Sequence, residues 1–251
     1  MPSSWKESEW ENSVQAIGGA FNKNARYIEI DAQLNRHPNA VTSSTPYGIL
    51  YTHHDARCEE INSSGQGTGV WRNIASDDPV LVDRCAERLS NVFNRWPYAN
   101  RYIIEMKSDT GFTEWLPKTL YHLLNAKGWR TTVIVSSLNE TLLTNLRNEA
   151  VRNGITMNLM RVFGYSHQIS LSDMDNAVNK GFRYIAGTTF SSLSRGWTPG
   201  GVEDAKARGL YAVGWHWADA PVSTSNQQAV ALDLDVMITD SISDLQQRGW
   251  Q

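Results

Sequence analysis

Hydrophobic and polar positions follow two different periods along the chain, and these periods predict where helices and strands lie. Apolar residues recur every three or four positions over 9–24, which predicts an amphipathic helix. The same spacing predicts one helix over 80–96, whereas the Gly/Ser/Asn-rich stretch 62–69 indicates a surface loop. From residue 102 onward, short apolar strands alternate with helices. This alternation is typical of parallel strands joined by right-handed crossovers.

Seven main strands are predicted in this way, together with a hairpin arm over 48–52. The main strands are 26–34, 102–107, 132–135, 156–162, 184–186, 210–217 and 236–239. A single α/β barrel has about 250 residues, and this chain has 251. We therefore predict an α/β fold and a single domain over 1–251. Its class is the (β/α)8 TIM-type barrel. The barrel is expected to be incomplete at its first strand, because only seven of the eight barrel strands are predicted.

Two acidic residues lie on the same face of the first predicted strand. Side chains of a strand point alternately to its two faces, so Glu29 and Asp31 share one face while Ile28 and Ile30 share the other. Neighbouring carboxylates repel each other unless a cation lies between them. A hard divalent ion such as Mg²⁺ or Ca²⁺ prefers oxygen ligands of this kind. An edge strand with a solvated acidic face is the alternative, and these residues alone leave it open.

A second strand adds a further carboxylate and a lysine. Glu105 and Lys107 share one face of strand 102–107, and the hairpin arm 48–52 leads directly to His54. The carboxyl ends of barrel strands converge on one mouth, where active sites are found. Three carboxylates could hold a cation there, while a lysine and a histidine would face a phosphate bound to it. This combination indicates hydrolysis of a phosphate ester.

The composition excludes some classes of protein and leaves others open. The net charge is −3 and no basic run occurs, which argues against a nucleic-acid partner. No apolar stretch approaches the roughly 20 residues of a transmembrane helix. The first residues lack the apolar core of a secretion signal, yet secreted and cytoplasmic locations both stay open. Cys58 and Cys85 could pair, but two cysteines do not identify a redox compartment.

Six short motifs, in this order, resemble those of the glycerophosphodiester phosphodiesterase family, within the wider group that includes sphingomyelinase-D-like phospholipases. They are Glu11-Asn12-Ser13, Glu29-Ile30-Asp31, His54-Asp55, Glu105-Met106-Lys107, Trp215-His216-Trp217 and Ile238-Thr239-Asp240. The resemblance implies a (β/α)8 barrel that hydrolyses a small-molecule or lipid-derived phosphodiester. The expected substrates are glycerophosphodiesters or related lysophospholipid-type molecules, and the products are an alcohol and a phosphomonoester.

The resemblance also implies roles for individual residues. The implied ligands of a divalent metal, Mg²⁺ or Ca²⁺, are Glu29, Asp31 and Glu105. His54 would be one of two catalytic histidines, and Lys107 would act beside it by contacting the phosphate. Trp215 and Trp217 would bind the substrate at the mouth of the barrel. Asp55, next to His54, is expected to orient a neighbour or bond to its loop rather than to bind the metal.

The sequence departs from the family pattern at one catalytic position. The family's first strand ends in His-Arg-Gly shortly before the motif matched by Glu11-Asn12-Ser13, but no histidine precedes His37 here. In the sphingomyelinase-D-like branch the histidine lies closer to the matched asparagine, and the position of this chain that corresponds to it is Glu9. The chain is therefore expected to be an impaired hydrolase or, alternatively, a catalytically inactive barrel that binds phosphate ligands. A sugar-processing barrel using Glu29 and Glu105 as acid and base ranks last.

Overall fold

The computed structural model describes residues 12–62, 64, 66–108, 111–189, 196–216, 222–239 and 247–248. These residues fall into two compact units, divided between Met157 and Asn158. Each unit combines strands with helices. Within the described part of the chain, no helix is long and apolar enough to cross a membrane.

The first unit holds the strands that carry the acidic residues. Its strands are β1 (Ile28–Asn35), β2 (Ile49–Thr52), β3 (Arg57–Ile61), β4 (Gly67–Asn73), β5 (Glu87–Arg88), β6 (Tyr102–Met106) and β7 (Ile134–Ser137). The main sheet has the order β7-β6-β1-β2-β5. Strands β7, β6 and β1 are parallel, whereas β2 is antiparallel to β1 and β5 is antiparallel to β2. Strands β3 and β4 form a separate two-stranded ribbon.

Helices of the first unit pack their apolar stripes against this sheet. They are α1 (Val14–Asn22), α2 (Pro79–Val82), α3 (Leu89–Arg95), α4 (Trp115–Lys127) and α5 (Glu140–Arg152). Ser13 caps α1, because its hydroxyl oxygen accepts a hydrogen bond from the backbone N–H of Ala16. In α4 the leucines Leu116, Leu120 and Leu124 recur at four-residue steps and are buried, as an amphipathic helix requires.

The second unit is a regular alternation of parallel strands and helices. Its strands are β8 (Asn158–Val162), β9 (Tyr184–Thr188), β10 (Tyr211–Trp215) and β11 (Val236–Ile238), and they are neighbours in that order. Its helices are α6 (Leu171–Asn179), α7 (Pro199–Ala207) and α8 (Val222–Ala231). A capping box between Ser170 and Asp173 begins α6. Together with β1, β6 and β7, these strands are the seven main strands that the sequence predicts.

The segment predicted as one helix over 80–96 is interrupted. Helix α2 ends at Val82 and α3 begins at Leu89, and the short strand β5 between them pairs with β2. A disulfide between Cys58 and Cys85, with Cα atoms 5.5 Å apart, also fixes this segment. The prediction of a continuous helix was wrong because helical periodicity is a local signal, whereas the strand pairing and the disulfide are tertiary contacts.

The loop predicted over 62–69 is shorter than expected, because strand β4 begins within it at Gly67. Residues Gly67 to Trp71 are all exposed, and the side chain of Trp71 is 51% exposed. Strand β4 has no buried residue, so its sequence lacks the alternation of apolar and polar residues that predicts a strand. The sequence also predicts a final helix that begins near Ser243, and apart from 247–248 this stretch lies outside the described residues.

Candidate active site

The three predicted metal ligands come together through the pairing of β1 with β6. Asp31 lies opposite Glu105 in the parallel register of these strands, and Glu29 shares the face of Asp31 two positions earlier. One carboxylate oxygen from each of the three lies within 4.8 Å of the other two. Oxygen ligands at the 2.0–2.6 Å typical of Mg²⁺ and Ca²⁺ are at most about 4–5 Å apart. The three carboxylates therefore fit one divalent ion.

Strand β1 is a central strand of its sheet, with β2 on one side and β6 on the other. The side chain of Asp31 is only 2% exposed. The alternative of an edge strand with a solvated acidic face is therefore wrong. Burial of carboxylates so close together is unfavourable unless positive charge lies beside them. Such a cluster is therefore unusual in a strand that has only a structural role.

Asn12 holds Asp31 through two hydrogen bonds that the sequence did not predict. Its side-chain amide donates to Oδ2 of Asp31 (3.0 Å), and its side-chain oxygen accepts from the backbone N–H of Asp31 (2.8 Å). Asn12 adopts a left-handed backbone conformation with φ of 63°, which asparagine tolerates better than most residues. Its carbonyl accepts from the hydroxyl of Thr52 (2.9 Å). The available signal was the motif Glu11-Asn12-Ser13, to which no role was attached.

Lys107 supplies positive charge to the carboxylate cluster. Its Nζ lies 2.9 Å from Oδ1 of Asp31 and 3.3 Å from Oε1 of Glu105. Burial by itself would favour the neutral amine, but the carboxylates of Glu105 and Asp31 outweigh it and raise the pKa of Lys107. Burial raises the pKa of Glu105, an effect that Lys107 opposes and the Asp31 carboxylate reinforces. Positive charge beside the cluster, from Lys107 or from a bound cation, therefore favours the charged form of Glu105.

A cavity of about 250 Å³ opens at this cluster and is lined by residues that include His54, Glu105, Lys107 and Ser137. His54 shares a hydrogen bond of 3.0 Å between its Nδ1 and Oδ1 of Asp55. This contact agrees with the orienting role expected for Asp55. The structure therefore brings an imidazole, an ammonium group and a carboxylate to one cavity, as the sequence predicted.

The neighbouring His53 differs from His54 in its surroundings. Its Nδ1 lies 3.0 Å from the carbonyl oxygen of Asp55, and it is not among the residues that line the cavity. Burial lowers the pKa of His53, so its neutral form is favoured near neutral pH. Adjacent residues of an extended chain point to opposite faces, so the sequence predicts that His53 faces away from the chemistry. This stays a prediction.

The predicted substrate-binding tryptophans belong to the second unit. Trp215 is the last residue of β10 and is partly buried, and Nδ1 of the adjacent His216 lies 3.1 Å from the hydroxyl of Ser225. Trp217 and Asp240 lie outside the described residues. The roles assigned to Trp215 and Trp217 therefore stay predictions.

Comparisons with known proteins separate sequence similarity from structural similarity. No model of a protein family matches the sequence, and no curated protein matches it. Solved structures do match. A provisionally assigned glycerophosphoryl diester phosphodiesterase from Silicibacter pomeroyi DSS-3 has a TM-score of 0.74 at 13% identity, covering 94% of this chain and 87% of its own. The chain has the fold of the glycerophosphodiester phosphodiesterases.

Two further solved glycerophosphodiester phosphodiesterases agree with this result. The enzyme from Parabacteroides distasonis ATCC 8503 has a TM-score of 0.67 at 15% identity, covering 97% of this chain and 91% of its own. The enzyme from Agrobacterium tumefaciens has a TM-score of 0.66 at 16% identity, covering 96% of both chains. At such identities the similarity to glycerophosphodiester phosphodiesterases is one of fold. It confirms the predicted (β/α)8 TIM-type class, while the strand predicted to be missing falls before the described residues.

Proposed function

We propose that this chain is a metal-dependent phosphodiester hydrolase that acts on glycerophosphodiesters or related lysophospholipid-type substrates. The observation that carries the proposal is the convergence of Glu29, Asp31 and Glu105 beside Lys107, at a cavity that His54 also lines. The shared fold with proteins named glycerophosphodiester phosphodiesterases supports the same reaction class.

The three carboxylates would hold Mg²⁺ or Ca²⁺, and the ion would supply Lewis-acid charge that neutralises the phosphate oxygens. Lys107 adds a second positive charge where negative charge develops on phosphorus-bound oxygens in the transition state. In hydrolysis, the oxygen of water bonds to phosphorus while one of the water protons passes to solvent, and the phosphorus–oxygen bond to the alcohol breaks. His54 donates a proton to the departing oxygen, so that a neutral alcohol leaves.

Loss of one proton-transfer group lowers the rate of such a reaction by about 10²–10⁴-fold, so the rate of turnover reports whether a second group acts beside His54. The second candidate function is a catalytically inactive barrel that binds phosphate-bearing ligands, which Lys107 and an ion held by the carboxylates would bind without turnover. A sugar-processing site accounts less well for the geometry, because it gives no role to Lys107, 3.3 Å from Glu105, or to His54.

Hydrolysis of glycerophosphocholine and of a lysophospholipid by the purified chain tests the proposal. We expect continuing release of the alcohol in the presence of Mg²⁺ or Ca²⁺, and none after chelation. Glu29→Gln removes one negative ligand at nearly constant volume and should abolish turnover. The matched control is Glu203→Gln, at an exposed position of α7 in the second unit, and it should retain full activity.

Two outcomes decide between the candidate functions. Activity that survives both chelation and Glu29→Gln would contradict a metal-dependent hydrolase. Binding of a phosphodiester without any turnover, in a preparation loaded with either ion, would favour the binding module, and steady multiple turnover would exclude it.

A further inference from the structure

A buried side chain of β1 holds the backbone that carries His54. Gln33 is 0% exposed, and its Nε2 donates hydrogen bonds to the carbonyl oxygens of His53 (3.1 Å) and His54 (3.0 Å). Gln33 lies opposite Tyr51 in the antiparallel pairing of β1 with β2. Its side chain therefore reaches the loop that directly follows β2. The sequence offered no reason to give Gln33 a role beyond its place on the acidic face of the strand.

The side-chain contact of His54 with Asp55 is exposed, whereas its backbone carbonyl is held by the buried side chain of Gln33. The imidazole of His54 is 58% exposed and the side chain of Asp55 is 67% exposed. Pairs of exposed charged or polar side chains hold each other weakly, because water competes for the same groups. A buried amide that binds two successive carbonyl groups is a more rigid anchor.

The same strand carries this anchor and two of the proposed metal ligands. Gln33 follows Asp31 by two positions, so both residues and Glu29 belong to one face of β1. A shift of the His54 loop relative to β1 would therefore change the distance between the imidazole and the carboxylate cluster. Gln33 opposes such a shift through its two hydrogen bonds.

We propose that Gln33 is a positioning residue that sets the distance between the His54 imidazole and the carboxylate cluster. This inference rests on the proposed hydrolase function, since it concerns the histidine that donates the proton. Misplacement of a catalytic group by about 1 Å lowers the rate by about 10²-fold. Loss of the two hydrogen bonds from Gln33 therefore lowers the rate of proton transfer by His54 and leaves the carboxylate cluster intact.

Gln33→Met tests this assignment, because methionine has nearly the same length but donates no hydrogen bond. The matched control is Gln66→Met, at an exposed loop position of the same unit. In the metal-loaded enzyme, we expect kcat of Gln33→Met to fall by about 10²-fold, with KM little changed. The affinity for Mg²⁺ or Ca²⁺, measured by calorimetry, should match that of the unmodified chain. A general loss of structure would lower both kcat and the affinity for the metal ion.

A double-mutant cycle separates positioning from an independent effect. In the His54→Ala background, Gln33→Met should change kcat by less than about 2-fold, because both substitutions act through one imidazole. Full additivity of the two losses would overturn the proposal.

Hydrogen exchange provides a readout that does not depend on turnover. In Gln33→Met, the backbone amides of 53–56 should exchange faster, while those of β1 and β6 keep their protection. A chain that shows this change but hydrolyses no phosphodiester would contradict the proposed function and support the anchor. Unchanged exchange over 53–56 would overturn the anchor, whatever the activity. If Gln33→Met does not fold, Gln33→Asn keeps the amide on a shorter side chain and is measured in the same way.

Discussion

Replacing Lys107 by methionine removes the positive charge that lies between two buried carboxylates. The side chains of Lys107, Asp31 and Glu105 are 13%, 2% and 14% exposed, so solvent screens this group poorly. Removing one partner of a buried ion pair destabilises a protein by about 3–5 kcal/mol. A loss of 1 kcal/mol lowers Tm by about 2–4 °C in chains of 150–250 residues. We therefore expect Tm of Lys107→Met to fall by roughly 6–20 °C without divalent metal.

The pH dependence of this effect follows from the two raised pKa values. Because the folded pKa of Lys107 is raised, its stabilising effect is fully present below the ordinary lysine pKa of about 10.4 and is lost as pH rises through the folded value. The measurement therefore belongs near neutral pH. Acidification should reduce the difference in Tm between Lys107→Met and the unmodified chain. The pKa of Glu105 is also raised, and its protonation removes one of the charges that the substitution leaves unpaired.

Thermal unfolding followed by circular dichroism gives the required comparison. Lys118→Met is the matched control, since Nζ of Lys118 lies 2.8 Å from Oε1 of Glu114 but that carboxylate is 63% exposed. Such a pair contributes at most about 1 kcal/mol. Saturating Mg²⁺ or Ca²⁺ should restore much of the lost Tm in Lys107→Met, because the ion binds the folded state. If Lys107→Met lowers Tm no more than the control does, the carboxylate cluster does not need this charge and the reasoning is wrong.

Three further predictions concern the surroundings of the cluster. Asn12→Ala removes both hydrogen bonds to Asp31 and should weaken divalent-ion binding by about 10–100-fold in calorimetry; an unchanged affinity would contradict a supporting role. Affinity for the ion should begin to fall at a pH above the ordinary glutamate pKa of about 4.3, because burial raises the pKa of Glu105 and a ligand must be deprotonated. A loss confined to pH below about 4 would refute this. Replacing Cys58 and Cys85 by alanine should lower the free energy of unfolding by about 3–4 kcal/mol, because the disulfide closes a loop between cysteines 27 positions apart. An unchanged Tm would contradict this stabilising role of the disulfide.

Strand parity was enough to place the acidic residues, because it depends on local geometry alone. The alternation of side chains put Glu29 and Asp31 on one face, and the strand that carries Glu105 was recognisable from its apolar run. Their meeting also required the register of β1 with β6, which the sequence does not encode locally. The convergence of strand ends at a barrel mouth predicted this meeting, and the family resemblance implied the same three residues, Glu29, Asp31 and Glu105, as metal ligands.

Interactions between distant residues explain what the sequence did not predict. Asn12 contacts Asp31 across 19 positions and needs a left-handed backbone conformation, and neither condition leaves a periodic pattern. Gln33 lies on the predicted acidic face, but its hydrogen bonds reach carbonyl groups 20 and 21 positions away. Every residue has a backbone carbonyl, so the residue types at these positions do not show that they are hydrogen-bond partners of Gln33. Contacts of this kind become visible only when the strands are placed next to each other.

Calorimetric titration of the metal-free chain with Mg²⁺ and with Ca²⁺ tests most directly whether the three carboxylates share one ion. We predict one bound ion per chain for at least one of the two metals. Glu29→Gln and Glu105→Gln should each abolish that binding, while Glu203→Gln should leave it unchanged. Absence of binding in the unmodified chain would contradict the shared site, and so would an affinity of Glu29→Gln or Glu105→Gln equal to that of the unmodified chain.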